Sequence, residues 1–227
     1  MKHIFIDFEM NPVDKGFKKE RRICAMEIIE IGAVMLDDDL REIGTFKKYI
    51  KPIYSSEIGE RFTNLTGITT EMLQNEDHFP EALDTFVGWC VKNTDPEEEF
   101  SVYAWSETDL YQLEGEIEQK EIEISDDLDY IMDNWVDFQR KFGRIIGIKG
   151  QISLEKALDL SGLSFDGQAH DALCDARNTA MLFVHSEDDE NFQKTREKIL
   201  EALQPPKPMT VSLGDLLLNK GVKIHNE

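Results

Sequence analysis

His3-Ile-Phe-Ile-Asp-Phe-Glu9 alternates as a strand requires, with Ile4, Ile6 and Phe8 on one side and Phe5, Asp7 and Glu9 on the other. Carboxylates two positions apart on a strand project from the same face, their Cα atoms about 6.6 Å apart. Two anions so placed raise the energy of the doubly ionised pair unless a proton or a cation offsets it. No Lys or Arg lies between them and the neighbouring positions are apolar, so a divalent cation is a reasonable neutraliser. Taken alone, Asp-x-Glu more often marks solvated carboxylates on a half-exposed sheet.

Outward from this strand, Glu27–Leu36 is rich in Ile and Val and is closed by Asp37-Asp38-Asp39, and Gly44–Ile50 completes an expected antiparallel meander. Pro80 opens a helix in which Leu83, Phe86, Val87, Cys90 and Val91 form one apolar stripe. A short buried strand is expected over Phe100–Trp105. Ser106 and Asp109 then begin a helix with Leu110, Leu113 and Ile117 inward. The acidic stretch Glu114–Asp133 reads as a lengthened, partly exposed helix or an insertion, and Trp135–Phe138 as strand or helix. Ser153 caps a helix that runs through Leu160 and stops at Gly162. A further helix spans about Asp171 to His185 with Ala172, Ala176, Ala180 and Phe183 inward, followed by a charged helical stretch from Asn191 to Leu203. Gln204-Pro-Pro-Lys-Pro208 is a stiff breaker, and Val211–Asn219 beyond it is too short to fold alone. Three strands followed by helices alternating with further strand predict a mixed sheet flanked by helices.

Two more acidic positions stand out. Asp109 opens a helix directly after a buried strand, where α/β folds collect ligands, although Ser106-x-x-Asp109 also fits a capping box. In His170-Asp171-Ala172-Leu173-Cys174-Asp175 a continuous helix would leave His170 and Asp175 about 140° apart, so they cannot share one helical face. The better arrangement puts His170 in the preceding loop and Asp175 on the early turns, where the helix dipole favours an ionised carboxylate.

Composition sets the bounds. The 227 residues, 41% hydrophobic, suffice for one principal domain, expected over residues 1–203 with residues 204–227 as linker and extension. No run approaches the roughly 18 apolar residues of a membrane span and Met1–Met10 lacks a secretory signal pattern, so a cytoplasmic location without membrane partners is expected. Cys24, Cys90 and Cys174 are scattered and odd in number, which argues for free thiols rather than a disulfide framework or thiolate zinc. The net charge of −21 argues against wrapping a long duplex, because affinity for a polyanion comes from Lys and Arg contacts. A short single-stranded end gripped through metal ions needs far less positive surface.

In order and spacing, these elements resemble the DEDDh branch of the DnaQ-like 3′-to-5′ exonuclease superfamily, and within it the Eri-like and sporulation-inhibitor-like proteins. The resemblance rests on Asp7-Phe8-Glu9, Glu27-Ile-Ile-Glu-Ile-Gly-Ala-Val34, Leu65-Thr-Gly-Ile-Thr69, Trp105-Ser-Glu-Thr-Asp109 and His170 through Ala180, and covers roughly residues 3–185. It implies a ribonuclease H-like α/β fold, a five-stranded mixed sheet with helices on both sides. It further implies that Asp7, Glu9, Asp109 and Asp175 bind two Mg²⁺ or Mn²⁺ ions, that His170 is the general base, and that nucleoside 5′-monophosphates leave one at a time from a single-stranded 3′ end, RNA favoured over DNA. Oxygen ligands suit such hard cations, and an imidazole, with an ordinary pKa near 6.5, suits proton removal from water. Leu65 and Thr66 become candidate contacts to the terminal nucleotide, with Gly67 allowing close backbone approach, and Met10 a candidate for backbone contacts.

The sequence departs from the family pattern in two places. The loop over residues 11–26 is longer than the simplest members need, and Lys15-Gly-Phe-Lys-Lys-Glu-Arg-Arg22 carries five basic residues and one acid. Contact with phosphates upstream of the scissile bond is one reading of it, an ordinary solvated loop the other. The tail after Leu203 is the second departure. Alternative functions are a dinucleotide or small phosphoester hydrolase, a polymerase proofreading partner and a catalytically silent nucleic-acid-binding regulator. The silent regulator would be marked by a missing ligand, and all five positions are intact.

Overall fold

The computed structural model describes residues 1–94, 98–148 and 150–203. Its centre is a five-stranded sheet of β1 (Lys2–Pro12), β2 (Met26–Leu36), β3 (Glu42–Tyr49), β4 (Phe100–Ala104) and β5 (Trp135–Asp137), in the order β3-β2-β1-β4-β5. The meander is antiparallel, whereas β4 pairs parallel to β1 and β5 parallel to β4, so the sheet is mixed as expected. The helices are α1 (Glu20–Ile23), α2 (Glu60–Thr66), α3 (Thr70–Leu73), α4 (Phe79–Lys92), α5 (Thr108–Gln119), α6 (Asp126–Asp133), α7 (Phe138–Ile146), α8 (Leu154–Leu160), α9 (Ala172–Glu187) and α10 (Asp189–Leu203). The expected tail beyond Leu203 lies outside the described residues.

Alternation along β1 sorts its side chains into two cores. Ile4, Ile6 and Phe8 join Phe86 of α4, Leu113 of α5 and Ile131 of α6 on one face. Phe5 joins Phe138 and Phe142 of α7 and Ala176, Ala180 and Phe183 of α9 on the other. Each of the named β1 apolar residues is at least nine-tenths buried, which stabilises by roughly 1.5–3 kcal/mol per side chain before chain entropy is counted. Asp7 and Glu9 follow Phe5 on the α9 side, beyond the point where apolar packing ends.

A register shift between Glu9 and Met10 sets Glu9 opposite Glu30 but Met10 opposite Ile28. Such bulges re-aim side chains beside functional sites. Here the bypassed Ile29 packs into a third, smaller core with Ile58, Ile68 and Leu73, which seats α2 and α3 beside the end of β1.

Several local expectations change. The acidic stretch is partly exposed as expected, but it is not one lengthened helix. α5 ends at Gln119, α6 starts afresh at Asp126 with Ser125 as its cap, and Glu116 is fully buried. Ser106 accepts from the Thr108 N–H and does not build a capping box with Asp109. Ser153 caps α8 as expected, and the three cysteines are free.

Candidate active site

Three elements bring four carboxylates together at the C-terminal end of the central strands. β1 supplies Asp7 and Glu9. α5 supplies Asp109, buried in its first turn immediately beyond β4. α9 supplies Asp175 from its first turn. The approach of α9 depends on Gly32, which pairs with Asp7 across the sheet: a Cβ there would lie 2.1 Å from the Leu173 nitrogen and 2.2 Å from the Ala172 carbonyl carbon. Only a glycine permits that contact between helix backbone and strand.

A second lock holds the start of α9. Asp171 caps it by accepting from the Cys174 N–H at 3.1 Å. Lys47, on β3, pairs with that same Asp171 and with Glu30 on β2 at 2.8 Å, and Glu30 accepts from the Ala172 N–H at 3.4 Å. Burial raises the Glu30 pKa, and the Lys47 ammonium opposes that rise. Neither Lys47 nor Glu30 was singled out from the sequence. Strand register could have found Glu30, since it sits directly across from Glu9.

His170 lies in the loop before α9, as the helical geometry required, with a left-handed φ of 64°. Its backbone N–H donates to Asp175 Oδ2 at 2.8 Å, while its ring stays half exposed with Nδ1 4.0 Å from Glu9 Oε1. Glu9, His170 and Asp175 each present one metal-ligating atom, all within 4.8 Å of one another.

The electrostatics are those of an anion-crowded cleft. Burial, then the charges of Asp109, Asp175 and Glu9, push the Asp7 carboxyl well above the usual range. Burial followed by Asp175 and Glu30 raises Glu9 to about 8. Asp109 rises to about 7 through burial, against backbone hydrogen bonds that favour its charged form. Burial brings Asp175 to about 6, with the His170 N–H pulling the other way. The nearby Lys47 ammonium is engaged by Glu30 and Asp171 instead.

The other candidate contacts are placed as follows. Met10 is half-buried against the first core, one step past the bulge. Leu65 is 42% exposed at the end of α2. Thr66 is buried, its hydroxyl donating to Phe62 O and accepting from the Ile68 N–H, so that side chain is engaged inside the turn. Gly67 closes α2 with φ 78°, and the Thr66 carbonyl accepts from Gln168 Nε2 at 3.5 Å, which joins this turn to the His170 loop.

The family model described as Exonuclease, RNase_T, matches residues 4–183, a span holding all four carboxylates and His170. The chain belongs to this exonuclease family. Among curated relatives, 3′-5′ exoribonuclease 1 of Rattus norvegicus is 25% identical over 181 residues, covering 76% of this chain and 50% of the relative. ERI1 exoribonuclease 2 of Danio rerio is 29% identical over 196 residues, 79% of this chain and 34% of the relative. The chain thus spans about half or less of the curated relatives it matches. The solved nuclease domain of 3′hExo, a DEDDh family member bound to rAMP, superposes with a TM-score of 0.72 at 24% identity, over 83% of this chain and 92% of that one. That likeness shows the ribonuclease H-like fold read from the motifs, and the Eri-like relatives bear out the family resemblance.

Proposed function

We propose that this exonuclease-family chain removes nucleotides from the 3′ end of single-stranded nucleic acid, RNA in preference to DNA, with the help of Mg²⁺ or Mn²⁺. The observation that carries the reading is the convergence of Asp7, Glu9, Asp109 and Asp175 beside His170, each carboxyl held above its ordinary pKa by burial. Four largely buried acids with no ammonium placed among them by the described residues fit divalent cations, since hard cations select oxygen donors and would relieve the repulsion. Two ions held by these four residues would supply Lewis acidity toward the phosphate and acidity for the attacking water.

The chain's own residues supply the remainder. His170, half exposed and tethered through its backbone rather than its ring, is free to accept the proton of water as that oxygen bonds to phosphorus. The P–O3′ bond breaks, the departing 3′ oxygen takes a proton from solvent, and a nucleoside 5′-monophosphate is released. Leu65 presents apolar surface for the terminal base, and Gly67 lets backbone approach the sugar. The preference for RNA is supported by the relatives named as exoribonucleases.

Digestion of matched 5′-labelled single-stranded RNA and DNA tests the reading. A ladder shrinking from the 3′ end, faster for RNA and abolished by chelator and by Asp175→Asn, is expected. Persistent digestion in chelator would overturn it.

A further inference from the structure

In a chain of net charge −21, one exposed segment carries the opposite sign. Lys15, Lys18, Lys19 and Arg22 are exposed and Arg21 partly so, and none of the five forms an ion pair among the described residues. Elsewhere on the surface Arg41, Lys48, Arg140 and Arg177 are paired with carboxylates, whereas cations without an ion pair among the described residues, such as Arg61, Lys92 and Arg144, are scattered rather than clustered. Within the same segment Phe17 is 41% exposed, its ring 5.3 Å from that of Tyr54.

The segment is built, not loose. Val13 N–H donates to Ala25 O at 3.0 Å and Asp14 N–H to Tyr54 O at 2.9 Å, which closes the base of the loop. The Asp14 carboxylate accepts from both the N–H and the hydroxyl of Ser56. Gln119, at the end of α5, donates to Glu20 O at 3.1 Å and Cys24 O at 2.8 Å, while Gly115 leaves room for Cys24 against the same helix. Five like charges are therefore carried on a backbone anchored at both ends, so they stay clustered although self-repulsion opposes it.

The anchors also fix where the array sits. From Glu9 to Pro12 along β1 is about 10 Å. From Asp109 to Gln119 along α5 is about 15 Å. β1, which bears Asp7 and Glu9, runs on into this loop, and the far end of α5, which bears Asp109, is hydrogen-bonded to it, so the base of the loop lies about 10–15 Å from these carboxylates along the two elements. Free cations interleaved with an exposed aromatic ring are the means by which proteins hold single strands without sequence preference, phosphates on the cations and a base on the ring. An acidic polypeptide would use the cations but not the ring.

We propose that the Lys15–Arg22 loop docks the phosphate backbone of single-stranded nucleic acid upstream of the scissile bond, with Phe17 as a stacking surface for one base. This rests on the exonuclease reading above. The loop accordingly governs affinity for strands long enough to reach it and leaves the shortest substrates untouched.

The test compares the full chain with Lys15→Gln/Lys18→Gln/Lys19→Gln/Arg22→Gln and with Phe17→Ala, on a dinucleotide and a 12-mer of matched sequence. For the quadruple variant kcat/KM on the 12-mer is expected to fall at least tenfold, and the slope of its logarithm against log[salt] to flatten by about 0.7 for each phosphate no longer neutralised. Phe17→Ala should weaken the 12-mer alone and keep the salt slope of the wild type. Hydrolysis of the dinucleotide should stay unchanged in both variants. Equal losses on both substrates, or an unchanged 12-mer rate and salt slope in the quadruple variant, overturn the proposal. If the wild type cleaves nothing, fluorescence anisotropy of the labelled 12-mer in chelator separates the two ideas: weaker binding by the quadruple variant keeps the platform while the exonuclease reading falls. Displacement of the strand by polyglutamate as readily as by unlabelled strand would reassign the surface to acidic polypeptides and overturn it.

Discussion

The backbone N–H of His170 donates to Asp175 Oδ2 at 2.8 Å, so loop and helix are joined through a bond that the imidazole itself does not make. Replacing the ring should therefore leave the carboxylate where it is. For His170→Ala we expect a rate loss of about 10²- to 10⁴-fold, the usual worth of a general base, with divalent-cation affinity retained. A fall in both would recast the ring as a ligand.

The same residue holds a left-handed φ of 64°, a conformation that disfavours side chains. His170→Gly should match His170→Ala in its effect on rate yet be the more stable of the two, by on the order of 0.5–1 kcal/mol after allowing for the greater entropy of an unfolded glycine. Chemical denaturation of the two variants decides it, and a more stable alanine variant would contradict the assigned backbone.

Gly32→Ala places a methyl group inside the backbone of α9. The helix must retreat from the sheet, carrying Asp175 and His170 with it. We expect destabilisation of about 3 kcal/mol, at the upper end for overpacking, and a severe drop in cleavage even at temperatures where the variant remains folded. Denaturant titration beside a cleavage assay at low temperature reads both.

Lys47→Met leaves Glu30 buried without its ammonium partner. Removing one member of a buried pair costs up to about 3–5 kcal/mol, less here because the lysine is partly exposed. Lys47→Met/Glu30→Gln should recover part of that deficit in denaturant titrations. Equal stability of the single and double variants would show that the pair does not hold α9 to the sheet.

Without divalent cations, stability should fall as pH rises. Glu9, Asp109 and Asp175 have folded-state pKa values of about 8, 7 and 6, above those of an unfolded chain. The folded protein then binds more protons than the unfolded one, so the favourable contribution is complete below about pH 4 and disappears progressively up to about pH 8. Melting temperature measured in chelator should decline across that window, less steeply for Asp175→Asn, and Mn²⁺ should flatten the decline at its upper end. A rise over the same range would contradict the crowded-carboxylate description.

Much of this was legible in the residues. Period-two alternation gave β1, apolar runs gave β2, β3 and β4, the stripe through Leu83 and Phe86 gave α4, and helical geometry alone separated His170 from Asp175. The short helices α1, α2 and α3 escaped because four to seven residues do not establish a period. α7 escaped because Trp135–Phe138 divides between a three-residue strand and a helix start. Glu116 was hidden for another reason. It accepts from the Ile28 N–H beside the bulge and pairs with Lys120, which also meets Glu27 at 3.2 Å. An acidic stretch looks solvated until the long-range donors that bury one of its members are known. Lys47 was invisible likewise, since its role arises only once β3, β2 and the cap of α9 are side by side.

Calorimetric titration with Mn²⁺ in the presence of a nucleoside 5′-monophosphate tests most directly whether Asp7, Glu9, Asp109 and Asp175 form one cation site. Uptake of two ions by the wild type, weakened by Asp109→Asn and abolished by Asp7→Asn/Asp175→Asn with the fold intact by circular dichroism, is expected. No uptake by the wild type, or undiminished uptake by the double variant, would contradict it.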